Sequence, residues 1–255
     1  MNRLSLLFVL VGAVAVFGTT LPAEFLEWEG RIVGGQNAAS GQFPYQVSLR
    51  SSNNAHFCGG SIVNNRYVLS AAHCTFGRTF ADTRVVVGTH LLNSGGTIHY
   101  TTNIINHGSY NPNTLANDIS LVRTASVIAY NNLVQPIVLE YTYITTGSGA
   151  RVSGWGQLRN GKNSNNLQWL STTIITLTDC RKRFNPSYAA SVFDNTICTL
   201  NPSGQGACFG DSGSPLNYEG YLQGVVSWGI PCGQGYPDVY ARVYSHRFWI
   251  LNNAV

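Results

Sequence analysis

The sequence predicts an all-β fold, and two observations support this prediction. From residue 45 onward, short apolar or alternating runs rich in β-branched residues are separated by glycine, asparagine and serine, a spacing typical of a barrel or a sandwich. The composition agrees, because 44% of the 255 residues are hydrophobic, only 10% are charged and 27 are glycine. A disordered chain would carry more charge and have less apolar surface to bury.

The strands are predicted where β-branched or alternating runs lie between turn residues: 45–50, 61–63, 67–71, 84–88, 119–123, 150–154, 167–175, 221–227 and 239–243. Short helices are predicted at 70–74 and 178–183. Near the C-terminus, Val243, Arg247 and Ile250 share one face at helical spacing. No repeat and no linker divides the chain.

The N-terminus has the layout of a secretory signal peptide. A positive charge at Arg3 precedes an apolar run from residue 4 to residue 17, and small residues follow. This run is shorter than the roughly 20 residues that span a bilayer, which argues against a membrane anchor. We expect residues 1–20, with an approximate end, to be the signal peptide of a secreted, extracellular protein that has no membrane partner.

Six cysteines fit that compartment, because an even number in a secreted chain indicates three disulfides. Their spacing alone leaves fifteen possible pairings open. Zinc ligation is disfavoured, since the chain has no C-x-x-C pair. The cysteines are Cys58, Cys74, Cys180, Cys198, Cys208 and Cys232.

The charge pattern argues against a nucleic-acid partner. The net charge is +4, and the only basic cluster is residues 181–183. A nucleic-acid surface would need many more basic residues with interleaved aromatic residues. We therefore interpret this cluster as a solvated surface. Separately, we expect the protein to be a monomer.

Three polar residues are candidates for catalysis by a serine nucleophile. A serine hydroxyl needs a neighbouring base, a group that orients the base and donors for the developing oxyanion. Ser212 lies in a glycine-rich run, His73 precedes a cysteine, and Asp118 opens an apolar strand in a chain with only eleven acids. Taken singly, each residue is more often a turn, cap or surface residue, and only their joint context favours catalysis.

That context resembles the chymotrypsin-like serine proteases, which have the trypsin fold, over residues 32–255. The resemblance implies two packed six-stranded antiparallel β-barrels with a short C-terminal helix, and a site in the cleft between them. The first barrel would cover about 32–136 and the second about 137–255. The motifs that carry it are IVGG at 32–35, SAAHC at 70–74, NDISLV at 117–122, GWG at 154–156, GDSGSP at 210–215 and SWG at 227–229.

The resemblance also implies a role for each catalytic candidate. Ser212 would attack the scissile carbonyl, His73 would take up its proton and return it to the leaving amine, and Asp118 would orient His73. The backbone N–H groups of Gly210 and Ser212 would form the oxyanion hole. No cofactor and no metal is implied. Residues 87–101, where some relatives bind calcium, contain no acid.

An activation step follows from the same resemblance. Residues 21–31 would be a propeptide, and a trypsin-like protease would cut after Arg31. The new ammonium group of Ile32 would then pair with the buried carboxylate of Asp211, which needs a partner. The implied disulfides are Cys58–Cys74, Cys180–Cys198 and Cys208–Cys232.

The implied specificity pocket lacks the aspartate that trypsin-like members have at its base, since Gly206 stands there. Its walls would be Ser227, Trp228 and Gly229, and the small Gly229 would admit a large side chain. Phe209 would lie at the rim. Ser214 stands where the family more often has glycine, and we expect this change to be tolerated.

Asp238 leaves two interpretations open, because the family usually has glycine there. Local donors could satisfy it away from the substrate, or it could reach the pocket from an unusual side. The combination of Gly206 and Asp238 resembles that of insect chymotrypsins and crab collagenolytic serine proteases. It implies a preference for large apolar residues, with a broad-specificity or collagenolytic enzyme that also accepts Arg and Lys as the alternative.

Other classes of function also fit parts of the sequence. Some relatives have lost a triad residue and act as non-catalytic binding proteins, but here the triad is complete. A protease of a regulatory cascade often has an N-terminal regulatory domain, whereas only about eleven residues precede Ile32 here after the signal peptide. We therefore expect a digestive enzyme of the gut lumen. It would act on protein or peptide substrates and bind protein protease inhibitors. A venom or tissue-degrading enzyme would look the same.

Overall fold

The structure is a computed structural model that describes residues 32–158 and 161–255. The predicted signal peptide, the predicted propeptide and Arg31 lie outside the described residues. No helix among the described residues is long and apolar enough to cross a membrane.

Strands make up most of the described chain. They are β1 (Gln36–Asn37), β2 (Gln46–Ser51), β3 (His56–Ile62), β4 (Tyr67–Ser70), β5 (Thr83–Val87), β6 (Thr97–Asn106), β7 (Ser120–Thr124), β8 (Val138–Leu139), β9 (Gly147–Gly154), β10 (Gln168–Ile175), β11 (Thr196–Leu200), β12 (Pro215–Tyr218), β13 (Tyr221–Gly229) and β14 (Asp238–Arg242).

Helices are short except at the C-terminus. They are α1 (Ala72–Thr75), α2 (Leu177–Lys182), α3 (Pro186–Ala189) and α4 (Val243–Asn253), with a single 3₁₀ turn at Phe80–Asp82.

The first barrel closes in the order β2-β3-β4-β7-β6-β5, with every neighbouring pair antiparallel. Its interior is filled by side chains, as expected for a small barrel. Val47, Leu49, Ile62, Val68 and Leu121 are completely buried there.

The second barrel closes in the order β9-β10-β11-β14-β13-β12, because β9 pairs with both β10 and β12. Two short strands flank it: β1 pairs with β10, and β8 runs parallel to β13. Two closed six-stranded antiparallel barrels and the C-terminal helix confirm the predicted fold.

Several elements differ from the sequence prediction. The strands β1, β6, β8, β11 and β12 were not predicted. The strands β1 and β8 have only two residues each, β6 is interrupted by His, Asn and Thr residues, and β12 is short and begins with proline. Nothing in the local sequence of β11 explains why it was missed. The helix predicted at 70–74 begins only at Ala72, since Ser70 still pairs in β4. The unpredicted α3 begins where the side chain of Asn185 caps Tyr188 N–H and proline follows at the first helical position.

Three disulfides join the described cysteines in the pairs that the family resemblance implies: Cys58–Cys74, Cys180–Cys198 and Cys208–Cys232. The first ties β3 to α1, and the third joins the loop after β11 to the loop after β13. Both therefore fix segments that lead into the cleft between the barrels.

Candidate active site

His73 and Asp118 come together at one end of the first barrel. His73 lies in α1, and Asp118 lies just before β7. The Nδ1 atom of His73 is 2.7 Å from Oδ2 of Asp118, and the backbone N–H of His73 donates to Oδ1 at 2.8 Å. Asp118 is 1% exposed, whereas the His73 side chain is 25% exposed. The buried carboxylate therefore holds the Nδ1 edge of the imidazole, and the other ring nitrogen, Nε2, lies 3.8 Å from Sγ of Cys74.

This geometry sets the proton position on His73 while the ring is neutral. A carboxylate only accepts hydrogen bonds, so the Nδ1 atom that faces it carries the proton. The Nε2 atom then bears the free lone pair, as a general base requires.

Ser227 contacts Asp118 rather than acting only as a pocket wall. Its Oγ donates a 2.6 Å hydrogen bond to Oδ2 of Asp118 from the second barrel. The sequence placed this residue in the SWG motif but gave no signal for the direction of its hydroxyl. Asp118 is thus held by donors from both barrels.

Ser212 lies in the loop between β11 and β12, beside the disulfide that flanks His73. The backbone N–H of Gly59, next to Cys58, donates to the carbonyl of Ser212 at 2.8 Å. Gly213 has φ +79°, and a Cβ there would collide with Ser70, so only glycine permits this tight turn. Within residues 32–158 and 161–255, no hydrogen bond joins the Ser212 hydroxyl to His73.

The peptide between Phe209 and Gly210 is oriented by a contact with the second barrel. The carbonyl of Phe209 accepts a 2.7 Å hydrogen bond from Gln157 N–H. In a trans peptide the N–H points away from the carbonyl, so Gly210 N–H faces the opposite side. Neither Gly210 N–H nor Ser212 N–H has an acceptor among the described residues, which leaves two donors available beside Ser212.

Asp211 is completely buried under this loop. Gly156 N–H donates to its Oδ1 at 2.8 Å, and Cys208 N–H donates to its Oδ2 at 3.0 Å. Burial raises the pKa of Asp211 to about 6, and these two donors act in the opposite direction. Ile32 is also completely buried and belongs to the same apolar cluster as Ala207.

A cavity of about 220 Å³ opens beside Ser212. Of the residues predicted to bind substrate, Phe209, Ser227, Trp228, Gly229 and Asp238 line it. Cys208, which the family resemblance places in the disulfide that braces the pocket, lines it as well. The sequence did not identify the remaining lining residues beside Ser212, because nothing local marks them: Ala207, Val226 and Pro231.

Gly206 lies behind Asp238 rather than among the lining residues. A Cβ on Gly206 would be 3.2 Å from Oδ2 of Asp238. That oxygen accepts a 3.0 Å hydrogen bond from Ala207 N–H, and a Cβ on Gly229 would be 2.9 Å from Oδ1. The carboxylate therefore fills the space that both glycines leave, and it is satisfied on one oxygen while it faces the cavity.

Comparison with known proteins agrees with this arrangement. Residues 32–250 match the family described as Trypsin. The chain is 42% identical to Chymotrypsin-2 of Vespa crabro over 87% of this chain and 99% of that protein. It is 38% identical to Trypsin beta of Drosophila erecta over 96% of this chain and 98% of that protein. The chain therefore belongs to the trypsin family and is a serine endopeptidase.

Proposed function

We propose that Ser212, His73 and Asp118 form the catalytic triad of this secreted endopeptidase. The observation that carries the proposal is the 2.7 Å contact of His73 Nδ1 with the buried Asp118. The Nε2 atom lies 3.8 Å from Sγ of Cys74, and Gly59, next to the disulfide partner Cys58, holds the carbonyl of Ser212. Ser212 therefore lies beside the edge of His73 that carries the free lone pair, and its hydroxyl proton would pass to Nε2 in the reaction.

The chemistry then proceeds in two steps. As Ser212 Oγ bonds to the peptide carbonyl carbon, its proton moves to His73 Nε2, and the oxyanion accepts hydrogen bonds from Gly210 and Ser212 N–H. His73 gives this proton to the leaving amine when the C–N bond breaks. Water then repeats the attack on the acyl-enzyme, with His73 again taking the proton and returning it to Ser212.

Labelling by a serine-directed phosphonate tests the triad. We expect the trypsin-treated protein to be labelled, and Ser212→Ala and His73→Ala to lose both labelling and peptidase activity. Ser203 lies in the same loop between β11 and β12 but does not line the cavity. Ser203→Ala therefore serves as the control and should remain labelled. A labelled, active Ser212→Ala variant would show that another serine is the nucleophile, and an unlabelled wild-type protein would favour the non-catalytic homologue.

We also propose that the protein is made as a zymogen that is cut after Arg31 by a trypsin-like protease. Asp211 supports this, because a buried carboxylate that has two backbone donors among the described residues can accept an ammonium partner. The carbonyl of Val33 accepts a 3.1 Å hydrogen bond from Gly206 N–H, which holds the segment next to Ile32 against the pocket. Cleavage would supply the missing cation.

Trypsin treatment of Arg31→Gln tests the activation step. We expect the wild-type protein to gain activity with a new N-terminus at Ile32, and the variant to remain inactive. Rapid activation of the variant at the same bond would contradict the proposal.

For specificity, we propose cleavage after large apolar residues, with Arg and Lys accepted through Asp238. The apolar preference is supported by the Val226, Trp228 and Pro231 lining and by the open wall at Gly229. The acceptance of Arg and Lys is supported by the carboxylate of Asp238, which faces the same cavity. A peptide library varied before the cut, applied to wild type and Asp238→Gly, tests both. Dominance of Arg and Lys that Asp238→Gly abolishes would show that the apolar preference is wrong.

We further propose a digestive role in the gut lumen, acting on dietary protein and open to protein protease inhibitors. Support comes from the relatives, which are trypsins and a chymotrypsin. Immunolocalisation tests the role, and expression confined to tissues outside the gut would favour a cascade, venom or tissue-degrading protease.

A further inference from the structure

We propose that Arg50 is a positioning residue for the oxyanion hole, acting through Ser48 and His56 on the carbonyl group of Gly210. The inference rests on the proposed function, since it takes Gly210 N–H as an oxyanion donor. In this proposal Arg50, a buried cation of the first barrel, controls the proton position on His56, a histidine outside the triad.

Three hydrogen bonds connect Arg50 to the loop of the second barrel. Arg50 Nε donates to Ser48 Oγ at 3.0 Å, Ser48 Oγ lies 2.9 Å from His56 Nδ1, and His56 Nε2 lies 3.1 Å from the carbonyl oxygen of Gly210. Ser48 and Arg50 lie two residues apart in β2, and Arg50 lies opposite His56 in β3. The connection therefore crosses from one barrel to the other beside the proposed nucleophile.

The donors and acceptors can be assigned from both ends of this chain. The Gly210 carbonyl only accepts, so His56 Nε2 carries the proton. This leaves His56 Nδ1 as an acceptor, which the Ser48 hydroxyl proton can satisfy. The Arg50 guanidinium only donates, so it occupies one lone pair of Ser48 Oγ and orients the hydroxyl with its proton toward Nδ1. The Gly210 carbonyl thus selects the neutral tautomer of His56, and Arg50 supports it through Ser48.

His56 is neutral in the pH range in which the choice between its two tautomers affects the reaction. Burial lowers the pKa of His56 to about 4; the bond to Gly210 opposes this, and the positive charge of Arg50 adds to the lowering. The ring packs edge-on against Trp155, with centroids 6.0 Å apart. A neutral imidazole in a fixed orientation can present either nitrogen as its donor, so the hydrogen-bond partners must decide.

Arg50 is costly to retain in this position. It is only 4% exposed, and its Nη2 has no hydrogen-bond partner among the described residues, while Nη1 reaches Asn54 at 3.2 Å. A buried donor without a partner lowers the free energy of unfolding. An apolar residue would avoid that cost, so the bonds of Arg50 to Ser48 and to Asn54 are the compensating contributions among the described residues.

Loss of Arg50 would remove the donor that orients the Ser48 hydroxyl, which could then turn away from His56 Nδ1 and accept a hydrogen bond from it. The proton could then move to Nδ1, and the Nε2 lone pair would face the Gly210 carbonyl oxygen. Two acceptors in contact repel, so the peptide between Gly210 and Asp211 would shift. The preceding Gly210 N–H would lose its alignment with the developing oxyanion, which affects the transition state more than substrate binding.

The experiment combines nuclear magnetic resonance with kinetics on the full-length chain after trypsin treatment. Nitrogen-15 shifts of labelled histidines report the His56 tautomer, assigned with His56→Gln, and a peptide substrate gives kcat and KM. The variants are Arg50→Met, Ser48→Ala and their combination. Arg84→Met is the matched control, because Arg84 lies opposite Arg50 in β5 and makes its hydrogen bonds to Ala81 and Thr83.

We expect wild-type His56 to carry its proton on Nε2. Arg50→Met should introduce the Nδ1–H tautomer and reduce kcat roughly three- to tenfold with little change in KM, less than the loss of a whole oxyanion donor. The double variant should be no worse than the more damaging single variant, since both changes break one chain of contacts. Arg84→Met should change neither readout.

Two outcomes would overturn the inference: an unchanged tautomer in Arg50→Met, whatever its kcat or melting temperature, or additive losses of kcat in the double variant. Failure of the proposed function looks different. In that case the wild-type protein would cleave no peptide, while the tautomer measurement would still decide whether Arg50 controls His56.

Discussion

The backbone N–H of Ala207 donates a 3.0 Å hydrogen bond to Oδ2 of Asp238 at the base of the cavity beside Ser212. One oxygen of this carboxylate is therefore held by the chain, and the group stays open to the cavity. Burial raises the pKa of Asp238 to about 7; the Ala207 bond opposes this shift, and the neighbouring Asp211 adds to it. The nearby Tyr240 is neutral, because burial raises its pKa far above the usual range.

Substrate preference should consequently depend on pH. Below pH 7 Asp238 is mainly protonated and the cavity is neutral, whereas above pH 7 the carboxylate can pair with a basic side chain. We expect the ratio of kcat/KM for Lys over Phe substrates to rise roughly tenfold from pH 6 to pH 8, as the ionised fraction grows. Using this ratio cancels any effect of pH that is common to both substrates.

Asp238→Asn is the control for that prediction, because its amide oxygen can still accept from Ala207. Its ratio should stay low and flat across the same pH range. A wild-type ratio without pH dependence would show that the ionisation of Asp238 does not select the substrate.

Asp238 should also make stability depend on pH. Its folded-state pKa of about 7 lies above the ordinary aspartate pKa of 3.8. The contribution of this group to stability is therefore complete below about pH 4 and is lost as the pH rises through 7. We expect Asp238→Asn to raise the melting temperature relative to wild type at pH 8, with little gain at pH 4, measured with the proposed nucleophile blocked. An equal gain at both pH values would contradict the assigned shift.

Ser227 should contribute to turnover more than to binding. Its 2.6 Å bond reaches the same Asp118 oxygen that contacts His73. Ser227→Ala leaves that buried oxygen with one donor fewer, which costs about 1 kcal/mol or more and loosens the orientation of His73. We expect kcat to fall roughly five- to tenfold, measured on a peptide substrate. Ser227→Thr, which keeps the hydroxyl, should recover most of the loss, and a change confined to KM would assign Ser227 to the pocket alone.

The sequence predicted most of the barrel strands because their β-branched runs are local signals. Among the barrel strands it missed β11 as well as β6 and β12, and polar residues or proline weaken the pattern in the last two. The two closed barrels came from the family resemblance, since strand pairing between distant segments has no local signature.

For the candidate site, too, the sequence identified residues but not the contacts between them. Motifs identified Ser212, His73 and Asp118, but motif spacing carries no information on side-chain direction. The bond of Ser227 to Asp118 therefore became visible only in the structure. The contact of His56 with Gly210 joins residues 154 positions apart, and it depends on how the two barrels pack rather than on any sequence pattern.

Ser214 gives a final prediction, on stability rather than activity. It is completely buried, and its Oγ has no hydrogen-bond partner among the described residues. It fits only because Gly59 and Gly154 face it without side chains. Replacement by alanine removes an unsatisfied hydroxyl and leaves the backbone unchanged, so Ser214→Ala should raise the free energy of unfolding by about 1 kcal/mol.

Ser70→Ala is the matched control, because Ser70 is equally buried but donates a 2.8 Å hydrogen bond to the carbonyl of Gly59. Its loss should lower the free energy of unfolding by about 1 kcal/mol. Urea unfolding of both variants, with the proposed nucleophile blocked, measures the two effects. Opposite signs are expected because only one of the two hydroxyls has a partner. Destabilisation by Ser214→Ala would mean that its hydroxyl is satisfied in solution, for example by a buried water molecule.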